Sequence, residues 1–343
     1  MVRHPLRGVD RRSWPLDAAE PPGILWYAGG SLRRDAIWRS LSAEHLPVRQ
    51  LDRSDDHGER LPVLFWIHGG SNQYGEGSSY DPTPLVTQGH IIVVTINYRL
   101  GALGWLAHPL LDGNVPGSSG NYGLMDQQFA MRWVNSNIAA FGGDPHKVTI
   151  AGESAGGIDS CSHLASPKAA GLFHGAIIES GCIIFQYPQA VVESIDAPFA
   201  VALCPSPPTL ACLRAAPVSA VLGAALQLPW VVAVGAPILP EAPQQAFSDG
   251  AFNKVPVIQG TNLDEGRLFV PLFNQGVTSN SSASNSNSYG SVVTSLFSAY
   301  PSAPLATIES HYTIANYSTD GATAAPGEAV AAIVTDSVAA KSC

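Results

Sequence analysis

The chain has 343 residues, enough for one large domain or two ordinary ones around a large buried core. Hydrophobic residues make up 45% and charged residues only 13%, about half the usual ~25%, which excludes a charge-rich disordered chain. Acidic residues outnumber basic ones by 27 to 18, a net charge of −9, which argues against a general nucleic-acid-binding surface.

Residues 1–60 form a poorly defined, Arg- and Asp-rich segment. Its start, MVRHPLRGVDRRSWPLDAAEPPG, lacks the apolar run of about 7–15 residues that a secretory signal needs. From Leu61 the character changes. Leu61–Ile67 (LPVLFWI) is a short apolar run that reads as a buried strand. It ends in His68-Gly69-Gly70-Ser71, and a Gly-rich polar loop follows. Ile91–Asn97 (IIVVTIN) reads as a second strand. Tyr122–Ala140 carries apolar residues at mixed three- and four-residue spacing and stops at Phe141-Gly142-Gly143, as a helix does. Lys147–Ala151 (KVTIA) is a third strand, followed by a helix over Ala155–Leu164 and a fourth strand, Gly175–Ile178.

Of the five cysteines, Cys204 and Cys212 flank a Pro-rich stretch, CPSPPTLAC. Spacing alone leaves open a local disulfide or two buried thiols. No Cys/His cluster has zinc-finger spacing, and no metal or organic cofactor is expected. The uncharged stretch Ala215–Pro240 contains Pro217, Pro229, Pro237 and Pro240, so a membrane-spanning helix is not expected there. Val255–Gly260 (VPVIQG) is a fifth strand. Residues 278–290 (TSNSSASNSNSYG) read as a flexible surface loop, and the Ala/Ser/Thr-rich remainder gives weak signals. The sequons at Asn280 and Asn316 matter only in a secreted chain. Buried strands alternating with helices indicate an α/β protein with a mainly parallel sheet.

Three places carry chemistry. Gly152-Glu153-Ser154-Ala155-Gly156 follows a strand and precedes a helix, the context a G-x-S-x-G nucleophile elbow requires. The glycines at Gly152 and Gly156 keep the turn tight, and the turn lifts the Ser154 hydroxyl to a helix N-terminus. A coincidental Gly/Ser turn is the competing reading. The Gly69-Gly70-Ser71 turn can present backbone N–H groups which, with that of Ala155, would stabilise an oxyanion; the alternative is a plain Gly loop. Asn262-Leu263-Asp264-Glu265-Gly266 lies past a later strand, where a triad acid would stand; its residues alone do not choose between Asp264 and Glu265, or between either and a solvated turn.

The stretches LPVLFWIHGG, VVTINYRLGALGWL, NYGLMDQQFAMRWVNSNIAAFGGDPHKVTIAGESAGG and VPVIQGTNLDEG together resemble the type-B carboxylesterases, the cholinesterase- and fungal-lipase-like branch of the α/β-hydrolases. The resemblance covers about Leu61 to Gly266. It implies an α/β-hydrolase fold with helices on both faces of the sheet, over a domain from residue 61 to 343. It implies a serine mechanism with Ser154 as nucleophile, Glu265 as acid, and oxyanion amides at Gly70, Ser71 and Ala155. Cys204–Cys212, followed by Leu213-Arg214, looks like the family's small-loop disulfide. A small-molecule or lipid ester is the implied substrate class and secretion the implied localisation, against an N-terminus without a signal; oligomeric state is left open.

Some residues depart from the family pattern. Ser42-Ala43-Glu44-His45-Leu46 places His45 where the family has a cysteine, and no strand is readable in residues 1–40. Asp159 occupies a position usually held by Ser. After Glu265 the one histidine is His311, whose surroundings do not match the family's His motif. The expectation is therefore a chain truncated at both ends, lacking the C-terminal strand and helices that carry the catalytic His. Such a chain would be an ester hydrolase by lineage with weak activity or none; the alternative is a non-catalytic binding module.

Overall fold

The computed structural model describes residues 24–27 (backbone), 60–182, 186–204, 207–224, 230–267, 289–296, 305–314, 317 and 325–342. The chain divides into two units, residues 1–259 and 260–343.

Among the described residues, the first unit is organised by a six-stranded sheet in the order β1-β3-β2-β4-β5-β8. The strands are β1 (Ile24–Tyr27), β2 (Leu61–Ile67), β3 (Ile92–Ile96), β4 (Gly143–Glu153), β5 (Gly175–Glu179) and β8 (Val257–Gly260). A small second sheet pairs β6 (Gln186–Pro188) with β7 (Val232–Val234) in parallel. The pairs β3–β2, β2–β4 and β4–β5 are parallel, as the apolar, β-branched runs require when helices cover both faces. Every residue of β3 is buried, while β2 buries Val63, Phe65 and Ile67 in alternation.

The antiparallel edge strand β1, paired to β3 from Ile24↔Ile96 to Tyr27↔Val93, lies in a segment where no strand was expected. Its four residues, ILWY, are too short a run to stand out between Pro- and Gly-rich flanks. Strand β4 begins well before the expected Lys147–Ala151: Gly143 pairs with Leu61, the register then shifts, and regular pairing resumes at Val148 opposite Val63.

Among the described residues, eight α-helices belong to this unit: α1 (Thr83–Gly89), α2 (Gly101–Trp105), α3 (Tyr122–Asn137), α4 (Ala155–Ala165), α5 (Gln189–Leu203), α6 (Leu210–Ala215), α7 (Val218–Ala224) and α8 (Pro243–Asp249). Helices α3 and α4 match the expected positions; the expected tail of α3 is a 3₁₀ turn, Ile138–Phe141. All eleven residues of α4 are buried. A buried disulfide, Cys161–Cys182, joins α4 to the segment after β5 and was not expected. The Cys204–Cys212 disulfide is present as the resemblance implies. The uncharged stretch from Ala215 holds α7 and β7, and no helix among the described residues is long and apolar enough to cross a membrane.

The second unit contains the helices Tyr289–Leu296, Leu305–His311 and Ala325–Ser342. Its core gathers Val292, Val293, Ala329, Val330 and Ile333. The expected loop at 278–290 lies outside the described residues, except for Tyr289 and Gly290, which open a helix. Asn280 and Asn316 also lie outside them.

The sheet order positions the site. From β2 the chain crosses to β3 on one side, and from β4 to β5 on the other. The reversal leaves a crevice beyond the carboxyl ends of β2 and β4, where open α/β sheets place their ligands. The register pairs Ile67 with Gly152, so the turns after these strands emerge side by side.

Candidate active site

Ser154 is the hinge between β4 and α4. Its backbone sits at φ 55°, ψ −120°, a sparsely populated conformation that costs a non-glycine residue on the order of 1–3 kcal/mol. The surroundings hold it there. The Ser154 N–H donates to the Glu179 carbonyl at 3.0 Å, and its own carbonyl accepts from Ile158 N–H at 2.9 Å. A methyl group on Gly156 would meet the Ile67 carbonyl oxygen at 2.0 Å, and one on Gly152 would meet the Gly156 oxygen at 2.4 Å. Only glycine lets the elbow sit this close to β2. Ser154 is half-buried, and Ala155, the first helical residue, carries an amide with no partner inside the helix.

The second turn packs against the first. A methyl group on Gly69 would lie 3.2 Å from the Ser154 Cβ and 2.7 Å from the Glu153 carbonyl oxygen. Gly70 has φ 109°, and Ser71 and Asn72 both have φ 57°. Three consecutive residues with positive φ bend the main chain sharply after β2. The Gly70 carbonyl accepts from the N–H groups of Gln73 and Tyr74 at 3.0 and 2.9 Å, closing the turn on itself. The Asn72 carbonyl accepts from Gly101 N–H at 2.7 Å, tying it to α2. His68 is buried, its ring stacked on Tyr98, whose hydroxyl donates to the His68 carbonyl at 2.7 Å. Burial lowers the His68 pKa and raises that of Tyr98, so both rings are neutral near pH 7.

Beneath the two turns runs a buried polar chain with no motif in the sequence. The Asp159 carboxyl accepts from Gln127 Nε2 at 2.6 Å, and Gln127 Oε1 accepts from His163 Nε2 at 2.7 Å. Gln128 Nε2 continues to Ser166 Oγ at 3.0 Å, and Ser166 donates to the Ile238 carbonyl. Asp159, Gln127 and His163 are fully buried. Burial pushes the Asp159 carboxyl up to about 8 and the His163 imidazole down to about 3, so both are uncharged at neutral pH. The residues Asp126-Gln127-Gln128 on α3 and Asp159, Ser160, Ser162 and His163 on α4 are polar, and polarity ordinarily signals a surface face. Trp105 is fully buried against Gly123, whereas Tyr74 is exposed.

Glu265 and His311 belong to the second unit. Glu265 is buried, and its Oε1 accepts from Asn262 N–H at 2.8 Å, which fixes the Asn262–Gly266 turn. Gly266 donates to Thr335 Oγ1 at 2.9 Å. Asp264, the other candidate acid, is exposed and lies 3.8 Å from Arg267 Nε. His311 is exposed at the end of its helix, with Nδ1 on the Thr307 carbonyl at 3.1 Å. Among the described residues, no group of three or more His, Cys, Asp or Glu side chains could hold a metal ion.

A strand–turn–helix elbow beside a glycine turn, at the carboxyl end of a mainly parallel sheet, defines an α/β-hydrolase, and the structural neighbours are carboxylesterases of that fold. The Geobacillus stearothermophilus carboxylesterase EST55 aligns with TM-score 0.71 and 30% identity, covering 82% of this chain and 57% of that one. The family model described as "Carboxylesterase family" matches residues 46–342, and the chain belongs to that family. Similar curated proteins include the para-nitrobenzyl esterase of Bacillus subtilis, 38% identical over 283 residues, covering 75% of this chain and 57% of the relative. The Homo sapiens cocaine esterase is 39% identical over 224 residues, covering 62% of this chain and 38% of the relative. The chain thus spans less than two thirds of the length of these relatives.

Proposed function

We propose that the protein is a serine ester hydrolase in which Ser154 attacks the carbonyl carbon of a small-molecule or lipid ester. The observation that carries this reading is the pairing of a half-buried Ser154 at φ 55° with the Gly69–Ser71 turn packed directly against it. In the attack, the Ser154 Oγ–carbon bond forms, the carbonyl oxygen becomes an oxyanion, and the serine proton passes to a base. The amides of Gly70, Ser71 and Ala155 would hold that oxyanion, each donor of this kind contributing about 3–4 kcal/mol to the transition state. Collapse expels the alcohol, which takes up the proton. Water then cleaves the acyl-serine by the same route in reverse.

Glu265 is the acid in this reading, orienting the imidazole that acts as base. The base itself is the role left unassigned. His311 is its only candidate after Glu265, and it is exposed and bonded to its own helix. For a polypeptide of these residues slow turnover is expected, because loss of a triad base costs about 10⁶ in kcat, while an oxyanion hole and binding retain roughly 10³–10⁴ over water.

The test is hydrolysis of p-nitrophenyl butyrate by the purified chain, with Ser154→Ala and His311→Ala beside it. Release of p-nitrophenolate above buffer that disappears in Ser154→Ala, in a variant of unchanged circular dichroism, supports the reading. Equal rates for wild type and Ser154→Ala overturn it and leave the non-catalytic binding module. Loss of turnover in His311→Ala assigns the base.

A further inference from the structure

Beyond β5 the chain forms a short strap, Ser180-Gly181-Cys182, against the first turns of α4. A methyl group on Gly157 would lie 2.6 Å from the Glu179 carbonyl oxygen and 3.1 Å from Gly181 Cα. One on Gly181 would lie 2.3 Å from the Gly157 carbonyl carbon and 2.6 Å from its oxygen. Two glycines therefore let two main chains touch. One turn further along α4, Cys161 is bonded to Cys182. Residues four apart share a helix face, so the bond and the glycine contact hold the strap to the same side of α4. Gln244 Nε2, on α8, donates to the Cys182 carbonyl at 3.2 Å, and all three strap residues are buried.

The strap is bent against its own preference. Ser180 has φ 50° and Cys182 φ 59°, a region in which a Cβ crowds the carbonyl oxygen. A strap released from α4 would rotate back toward negative φ. The same strap begins at the group that holds the elbow. The Glu179 carbonyl, which accepts from Ser154 N–H at 3.0 Å, lies in one planar peptide unit with the Ser180 nitrogen. Rotation at Ser180 would tilt that plane and draw the acceptor away from Ser154. A disulfide anywhere in the chain would constrain the unfolded state; this one also ends on a left-handed residue three positions beyond the elbow's main-chain partner.

We propose that Cys161 and Cys182 are a positioning pair: their bond locks the strap in its left-handed conformation against Gly157, which keeps the Glu179 carbonyl on the Ser154 amide and the Ser154 hydroxyl in its reactive place. The part of this inference that concerns rate rests on Ser154 being the nucleophile; the part that concerns the strap does not.

The test uses the oxidised full chain and three paired variants, Cys161→Ala/Cys182→Ala, Cys161→Ala/Cys182→Gly and Cys204→Ala/Cys212→Ala, each held well below its own melting temperature. Amide hydrogen exchange at Ser154, read by NMR, needs no turnover. Exchange is expected to quicken by about 10-fold or more in Cys161→Ala/Cys182→Ala and to stay near the wild-type rate in Cys204→Ala/Cys212→Ala. Equal exchange in wild type and Cys161→Ala/Cys182→Ala overturns the proposal. In p-nitrophenyl butyrate hydrolysis, Cys161→Ala/Cys182→Ala is expected to lose kcat by ~10–100-fold at nearly constant KM, the penalty of a misplaced catalytic group. Cys204→Ala/Cys212→Ala, which also lacks a disulfide, should keep its kcat; an equal fall in both would reduce the effect to lost stability and overturn the proposal. Glycine adopts positive φ without a Cβ clash, so Cys161→Ala/Cys182→Gly should recover roughly 5-fold in kcat over the alanine pair. Loss of packing alone predicts the opposite order, and a glycine pair as slow as the alanine pair overturns the proposal. Absence of turnover in the wild type counts against the serine reading alone, since exchange at Ser154 still decides the strap.

Discussion

Replacing Gly156 by alanine probes the joint on which the elbow depends. The added methyl would lie 2.0 Å from the Ile67 oxygen, 2.8 Å from its carbonyl carbon and 3.0 Å from the His68 oxygen, all main-chain atoms. An ordinary C···O contact needs about 3.3 Å, so β2 and α4 would have to part by roughly 1.3 Å. Neither gives easily, since β2 is paired on both sides and α4 is buried on every face. Overpacking of this kind costs about 1–3 kcal/mol, and the upper end applies where backbone meets the methyl. The better helix propensity of alanine returns up to about 1 kcal/mol, leaving a net loss of about 2 kcal/mol. With an m-value of about 3 kcal/mol/M, the urea midpoint should fall by roughly 0.7 M. Gly223→Ala is the control. Gly223 lies in α7 with nothing within 4 Å of the new methyl, so a gain of about 0.5–1 kcal/mol is expected. A Gly156→Ala midpoint within about 0.2 M of wild type would refute the claim that the elbow has no room beside β2.

Asp196 is buried on α5 with one oxygen accepting from Ala107 N–H at 2.8 Å and the other without a partner, and burial lifts its pKa to about 7. The unfolded chain ionises it near 3.8, so stability should decline between about pH 4 and pH 7, by on the order of 2–4 kcal/mol, and Asp196→Asn should flatten that part of a pH–stability curve; a slope unchanged in the variant would contradict this. Removing Cys161–Cys182 by paired alanines opens a 21-residue separation and should cost about 3 kcal/mol, against about 2.5 kcal/mol for the 8-residue Cys204–Cys212 loop. Urea midpoints of the two double variants in the reverse order would contradict the loop-closure account.

The parts of the fold legible in the sequence are those where one physical cause dominates. Central strands are apolar because both faces are covered, so LPVLFWI and IIVVTIN announce β2 and β3 within a residue of their ends. The elbow is legible because its glycines answer to close backbone approach within five residues. Helix α5 was missed, since Pro198 in its interior argues against a helix and only packing overrides it. The helix Ala325–Ser342 shows no apolar face in its sequence because it buries consecutive residues, Ala329, Val330 and Ala331. The disulfide Cys161–Cys182 links residues brought together by β5 returning beside α4, and no local spacing reports that. Asn72, Gln127 and His163 went unread for a related reason. A polar side chain satisfied by another polar side chain in the interior looks, in one dimension, like any surface residue.

Helix α4 has no outward face, so it offers protein engineering almost no position that can vary alone. Efforts to broaden what the crevice accepts would gain more from randomising the exposed rim at Tyr74 and Glu76, where new side chains displace only solvent. Inheritance faces the same asymmetry: lineages should drift at that rim while α4 changes only in compensated pairs.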